Sequence, residues 1–445
     1  MAKNFTSISG FPELLPPAKL VENFVLDTLR KTFELNGFLP LETRAVEPLS
    51  ELLRKGETSK EIYLLSRLQG EGEDETGLNP KRLGLHFDLT VPFARFVSEN
   101  AGHLVFPFKR YQIQKVWRGE RPQDGRFREF IQADIDVVGQ GELAFHHEVE
   151  LPLVMGQALS QLGLPPFEIR VNNRKIVQGV CEGVGISNID DALRILDKID
   201  KIGEEKVLEE LHDCGITQGA DTLLQMAKIN GDAETISRAV GELKISNPLL
   251  DEGLKELLNL LAEAEERSPG MVIGDLKIAR GLDYYTGSVY ESFIKGHEDL
   301  GSICSGGRYD NLITSGSRTY PGVGLSIGVS RVISRILATG LLAPTRPTPT
   351  VVLVAVNSEE TRGESNRVAN ALRARGIASE TADKAAKFGK QIKYADRRGI
   401  PFVWFPGEEH QVKDIRTGEQ TVAQIDTWLP PEEDMQVRVL ASPDA

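Results

Sequence analysis

The sequence has 445 residues, too many for one ordinary hydrophobic core, and at roughly 100–200 residues per domain it predicts two to four domains. With 40% hydrophobic and 26% charged residues it is not a disordered chain, and no apolar run reaches the ~18 residues that a membrane-crossing helix needs. Lys and Arg number 52 against 65 Asp and Glu, a net charge of −13, so a nucleic-acid partner would have to be met by a local basic patch. The N-terminus, MAKNFTSISGFP, lacks the apolar core of a signal peptide. Cys181, Cys214 and Cys304 are widely spaced and odd in number, which predicts free thiols in a reducing cytoplasm and no cysteine zinc site.

In chain order, Val21, Phe24, Val25, Thr28, Leu29 and Phe33 recur at helical spacing and predict a helix over 18–36, ended by Asn36-Gly37. Residues 66–82 are polar and glycine-rich and read as a surface loop. Strand patterns at 110–118 and 126–138 flank the breakers Gly119, Pro122 and Gly125, which predicts a long-looped antiparallel hairpin. A helix over 143–162 follows. Residues 172–267 carry Asp, Glu, Lys and Leu at helical spacing, broken at Gly203, Gly215, Gly231 and Asn247-Pro248, and read as an inserted helical module.

Strand and loop patterns return at 271–328, before a helix with the stripe Val329, Val332, Ile333, Ile336 and Leu337. The proline-rich segment 341–350 reads as a hinge. Beyond it, the apolar run 351–356 suits a buried parallel strand, and a helix over 359–375, a strand near 377–381, a helix over 384–398 and a strand at 402–405 complete a small α/β domain. The polar tail 430–445 is expected to fray.

The hairpin carries the chemistry. Side chains on a strand alternate between faces. Over 126–137 the odd positions are mostly apolar, while the even ones are Arg126, Arg128, Phe130, Gln132, Asp134 and Asp136. A solvated face would also be polar. However, Phe130 is a large ring on that face, and Arg118 and Arg121 precede it. Guanidinium forks suit phosphates. The set suggests a triphosphate, a base to be stacked and a small amine-bearing substrate.

The string FKRYQIQKVWRGERPQDGRFREFIQADID (108–136) resembles motif 2 of class II aminoacyl-tRNA synthetases, in the form found in the histidyl-tRNA synthetases. RGLDYYTG (280–287) and SGGRYDNL (305–312) are similar to the two histidine signatures of that family, and GVGLSIGVSRV (322–332) to motif 3. The resemblance implies an α+β catalytic domain over 1–171 and 268–340, with an antiparallel sheet flanked by helices and a helical insertion at 172–267. It also implies a hinge at 341–350, a C-terminal α/β anticodon-binding domain over 351–430 and a tail at 431–445. The implied activity is ATP-dependent joining of L-histidine to tRNA(His) through a histidyl-adenylate, with magnesium, in a cytoplasmic homodimer with no membrane partner.

By the same resemblance, Arg118 and Arg126 meet the ATP phosphates, and Phe130 and Arg331 sandwich adenine. Asp88, Thr90, Gln132, Asp136, Tyr284 and Tyr285 hold histidine, and Arg280 touches both its carboxylate and the α-phosphate, so Arg280 and Arg118 are the implied catalytic pair. Many bacterial members have Arg-Pro-Glu-Gly-Thr where this chain has Phe87-Asp88-Leu89-Thr90, and glutamate in place of Asp136. The nearest proline to motif 1 is Pro48, and no motif 1 residue is assigned.

No protein side chain is assigned to a metal; His146-His147 reads as a helix terminus. Lys384, Lys387, Lys390, Lys393 and Arg397 form a basic stripe, either a solvated face or a tRNA contact. A non-catalytic relative, the regulatory subunit of ATP phosphoribosyltransferase, shares the catalytic fold but typically lacks the last domain. A class II synthetase for another amino acid conflicts with RGLDYY.

Overall fold

The computed structural model describes residues 7–53, 61–66, 82–123, 125–278, 284–297 and 300–441. Arg280 and all but the ends of the expected loop 66–82 lie outside the described residues. The chain divides into two compact units, one of Met1–Pro12 and Leu26–Arg335, the other of Glu13–Val25 and Ile336–Ala445. The first helix, Pro16–Leu35, runs through that division, and its stripe Val21, Val25, Leu29 and Phe33 is buried. Gly37 ends it at φ 80, a conformation that costs other residues a steric penalty.

The first unit is built on a mixed sheet of nine strands among the described residues. Its order is Leu39–Pro40, Phe108–Trp117, Glu129–Val138, Gly322–Gly328, Cys304–Tyr309, Ser288–Ile294, Phe167–Asn173, Val272–Asp275 and Asn230–Gly231. The run from Phe108–Trp117 to Phe167–Asn173 is antiparallel throughout. Ile131, Ala133, Ile135 and Val137 are buried along one face of Glu129–Val138. The helix His146–Ser160, expected over 143–162, is largely buried.

The second strand of the hairpin starts at Glu129 rather than 126. Gly125 at φ 66 and an isolated bridge between Gln123 and Arg126 hold the preceding residues as a loop. Arg126 and Arg128 therefore stand on the loop, off the alternating strand, and Arg128 Nε donates to the Glu120 carbonyl at 3.2 Å.

Between Arg174 and Arg267 the chain is almost wholly helical. Asn173, Asn188, Asp232 and Asn247 each cap a helix by accepting a backbone N–H. Asn247-Pro248, read from sequence as a break, opens the long helix Pro248–Arg267, with proline where its missing N–H costs nothing.

In the second unit a five-stranded sheet has the order Ser379–Thr381, Val352–Val354, Phe402–Phe405, Gln411–Asp414 and Gln420–Val422, with the first three parallel. Val352 and Val354 pack with Trp404 on one side, and Leu353, Ala355 and Val403 pack on the other. Two buried faces explain the unbroken apolar run. The helix Phe388–Arg398 begins four residues later than expected, with Lys387 as its N-cap and Lys384 before it. Only Lys390, Lys393 and Arg397 are therefore on the helix itself; all five cations are exposed.

The proline-rich segment is not a free hinge. Leu342–Pro344 pairs antiparallel with Val439–Ala441, and Arg346, Thr348 and Thr350 are buried. Within the tail expected to fray, Glu432–Met435 is helical and Val439–Ala441 is a strand. Val437, Val439 and the intervening Arg438 have strand-like alternation, and Asp434 holds Arg416 at 2.8 Å.

Candidate active site

A cleft of about 130 Å³ opens in the first unit. Arg118, Arg126, Phe130, Gln132 and Arg331 line it together. Phe130 reaches it because strand alternation turns its ring away from the core face of Ile131. The Arg118 guanidinium lies 5.2 Å from the Phe130 ring centre, and its Nε donates to the Phe87 carbonyl at 3.0 Å. Arg331, in the first turn of Val329–Thr339, donates Nε to the Gly125 carbonyl at 3.3 Å and Nη1 to the Ser302 carbonyl. These bonds place two fixed cations around an aromatic platform, which suits a polyanion carrying a planar base.

Gln132 and Ser326 lie on the floor of this cleft, and Gln132 Nε2 donates to Ser326 Oγ at 2.8 Å. Asp136, two turns of the pleat further along the same face, is buried and held twice. Arg110 Nη2 is 2.7 Å from its Oδ2, and the Tyr309 hydroxyl donates to its Oδ1 at 2.7 Å. Arg110 is itself fully buried, over the Phe93 ring at 4.2 Å. Gly324 faces Asp136 across the strand pair. A β-carbon at Gly324 would collide with Asp136 Oδ1, so the glycine makes room for the carboxylate.

Asp88 is buried and its Oδ1 accepts the Val91 N–H at 3.1 Å, at the start of Thr90–Asn100; Thr90 is the first residue of that helix and is half-buried. The Tyr284 and Tyr285 rings sit 4.2 Å apart. Burial pushes the Tyr284 phenol up, and the charges of Asp88, Asp136 and Asp134 add to it, so it stays protonated. Tyr285 packs on Gly307, where a β-carbon would stand 2.9 Å from the ring. Tyr284 and Tyr285 also border a second hollow with Arg174 and Lys175. The five expected ATP and floor residues thus meet in one cleft, and Asp88, Asp136 and Tyr284 meet electrostatically beside it. Lys384, Lys387, Lys390, Lys393 and Arg397 belong to the other unit.

The sequence alone assigns no role to Arg110, Tyr309, Ser326 or Gly324, and none to Asp134 beyond its place on the polar face of the hairpin. A signal existed for the first: Arg110, Gln112 and Gln114 alternate on Phe108–Trp117 and register with Asp136, Asp134 and Gln132. The brace behind the tyrosines was also missed. Glu148, buried, holds Arg308 at 2.7 Å, and Thr286 Oγ1 donates to Asp310 at 2.5 Å.

His146, His147 and Glu150 lie close enough together to share a metal ion. Lys109 Nζ is 2.6 Å from Glu150 Oε1 and His147 Nδ1 is 2.9 Å from Oε2, so a cation already answers that carboxylate. The Glu150 carboxyl is accordingly pushed down to about 2, mainly by the His147 hydrogen bond.

A family model described as Histidyl-tRNA synthetase matches residues 10–332, and one described as Anticodon binding domain matches 350–429. The histidine–tRNA ligase of Bifidobacterium animalis subsp. lactis is 56% identical over 451 residues, covering 97% of each chain. That of Cutibacterium acnes is 52% identical, covering 98% of each. Among solved structures, the histidyl-tRNA synthetase from Nostoc sp. PCC 7120 is 36% identical, with a TM-score of 0.81 over 95% of this chain and 97% of that one. An ATP phosphoribosyltransferase regulatory subunit/histidyl-tRNA synthetase from Bacillus halodurans shares the fold at 21% identity and a TM-score of 0.73. The antiparallel sheet, the cleft beside motif 2 and these full-length matches agree: the chain belongs to the histidyl-tRNA synthetase family.

Proposed function

We propose that this chain joins L-histidine to tRNA(His) in two steps, first forming histidyl-adenylate from histidine and ATP with release of pyrophosphate, then passing the acyl group to the tRNA with release of AMP. The observation that carries the reading is the cleft itself: Arg118, Phe130 and Arg331 surround it, and Gln132 and the Asp136–Arg110–Tyr309 cluster lie on the strand face that floors it.

Arg118 and Arg126 bind the phosphates, and adenine stacks between Phe130 and Arg331. Asp88, Thr90 and Gln132 take the α-ammonium of histidine. Asp136 and Tyr285 lie on opposite sides of the imidazole, with Tyr284 beside them. A neutral imidazole offers one donor and one acceptor, which a carboxylate and a phenol satisfy. The nucleophile is the histidine carboxylate, already ionised, so no general base is needed; the work is positioning and charge stabilisation. Arg280 supplies a cation to both that carboxylate and the α-phosphate.

The cleft also offers a hard oxygen donor for magnesium, with a second carboxylate beside it. Glu120 lines it, and burial and the Glu120 charge raise the neighbouring Glu61 carboxyl. Glu61 and Glu120 would hold the ion, which supplies charge neutralisation on the phosphates.

The catalytic work falls to residues 1–171 and 268–340, with 172–267 as an insertion and 351–430 as the anticodon-binding part. The chain works as a cytoplasmic homodimer. Its last domain and intact histidine signatures favour the ligase over a regulatory subunit of ATP phosphoribosyltransferase. The test is ATP–pyrophosphate exchange with each of the twenty amino acids. Exchange on histidine alone is expected, and Arg280→Ala should lower it by about 10²–10³ while the fold persists. No exchange on histidine would refute the reading.

A further inference from the structure

Thr286 directly follows the two tyrosines, and the strand end at 308–310 fixes it twice. Its N–H donates to the Arg308 carbonyl at 2.8 Å, and its hydroxyl donates to Asp310 Oδ2 at 2.5 Å. Arg308 is gripped between two carboxylates. Its Nη1 donates to Glu148 Oε1 at 2.7 Å and its Nε to Asp310 Oδ1 at 3.0 Å. Glu148 is buried on the helix His146–Ser160, and its other oxygen accepts the Ser288 N–H at 3.3 Å. Thr286 and Ser288 are therefore tied to one buried carboxylate, the second directly and the first through Asp310 and Arg308.

The packing around these ties leaves little slack. The Tyr285 ring lies against Gly307, the neighbour of Arg308 on the strand Cys304–Tyr309. Gly287 lies against the Arg308 stem, where a β-carbon would come within 3.0 Å of Cδ. A phenol stands at the end of a long lever, so a small turn of the backbone at Thr286 would carry the Tyr285 hydroxyl out of hydrogen-bond range.

We propose that Arg308 and Asp310 are positioning residues that hold Thr286, and with it the Tyr285 phenol, in line with the imidazole of the amino-acid substrate. The inference rests on the reading of the site as a histidine-activating one. It assigns neither residue a contact with the substrate. Replacing a buried ionic network by apolar side chains is often neutral for stability, so the gain here is one defined geometry. Arg308→Lys would keep the charge, but a point cation cannot span both carboxylates as the planar fork does.

The test uses the full-length enzyme in ATP–pyrophosphate exchange. Thr286→Val keeps the shape of the side chain and removes the hydroxyl that reaches Asp310. It should raise KM for histidine by about tenfold, the lower end of what a hydrogen bond to a charged group is worth, with KM for ATP within about twofold of wild type. Thr286→Ser, which keeps the hydroxyl, should leave KM for histidine within about twofold of wild type. Arg308→Lys should follow Thr286→Val. In a Tyr285→Phe background, where the phenol is already gone, Thr286→Val should add nothing further to KM for histidine, since both changes act on one contact. Should Thr286→Val fail to fold, Arg308→Lys carries the same comparison.

An unchanged KM for histidine in a folded Thr286→Val enzyme would overturn the brace. So would a Thr286→Ser enzyme as impaired as Thr286→Val. An equal rise in the Tyr285→Phe background would overturn it too, since the loss would then be a general loosening of the pocket. A wild-type enzyme inactive on histidine would instead refute the functional reading on which the brace depends, and the brace with it.

Discussion

Gly324 and Asp136 face each other across two antiparallel strands, with no space between them for a β-carbon. The carboxylate that anchors one end of the proposed histidine site thus depends on a residue defined by what it lacks. Gly324→Ala should displace Asp136 from Arg110 and Tyr309. A rise in KM for histidine of about tenfold or more is expected, with KM for ATP near wild type. Equal histidine KM values in steady-state exchange would show that the strands part without moving the carboxylate.

Arg110 and Asp136 form a fully buried ion pair at 2.7 Å. Arg110→Met leaves a carboxylate without its cation in the sheet, which should cost about 3–5 kcal/mol. Adding Asp136→Asn to that variant should restore part of the stability, since the lone charge is then gone. Thermal unfolding of the two variants against wild type measures both effects. A double variant less stable than the single one would contradict the unpaired-charge explanation.

Asp134 makes stability depend on pH. Burial lifts its carboxyl to about 7; Asp136 and Asp88 push the same way, while the Arg110 charge and the Ser326 hydroxyl oppose. The Cys304 thiol and the Tyr284 phenol nearby are pushed up and stay neutral. An acid raised from its ordinary value of 3.8 holds its proton more tightly in the folded chain, so its contribution to stability is lost as pH rises from about 4 to about 7. Asp134→Asn should remove that loss, and the difference in melting temperature between variant and wild type should grow over this interval and level off above it. A flat difference would mean the carboxyl is ionised throughout.

Lys387, Lys390 and Lys393 are exposed at the start of Phe388–Arg398, beside the part-exposed rings of Phe388 and Tyr394. Cations with adjacent rings suit a single-stranded RNA segment, which is held by backbone charge and base stacking. Replacing the three lysines by Gln together should raise KM for tRNA and flatten its dependence on salt, with KM for histidine unchanged. Unaltered tRNA kinetics in aminoacylation assays would assign the stripe to solvent.

Much of this architecture was legible in the sequence because it follows local rules. The helix beginning at Pro16, the strand Phe402–Phe405 and the hairpin all have periodicity that survives folding. Phe130 could be placed on the polar face by alternation alone. What was not legible depends on register between strands far apart in sequence. Nothing in Ser326 or Gly324 announces that each lies opposite an aspartate from the hairpin. The proline-rich segment misled for a related reason. Its composition resembles a linker, and only its distant partner Val439–Ala441 makes part of it a strand. The basic stripe was placed one turn too early because spacing alone cannot locate an N-cap at Lys387.

The pairing of Leu342–Pro344 with Val439–Ala441 also bears on how the protein is made. The two strands bracket the C-terminal unit in the sequence, one near its start and the other near its end. During translation the first strand leaves the ribosome well before the second has been made and must wait for it. Until that partner emerges, the nascent chain carries an unpaired sheet edge.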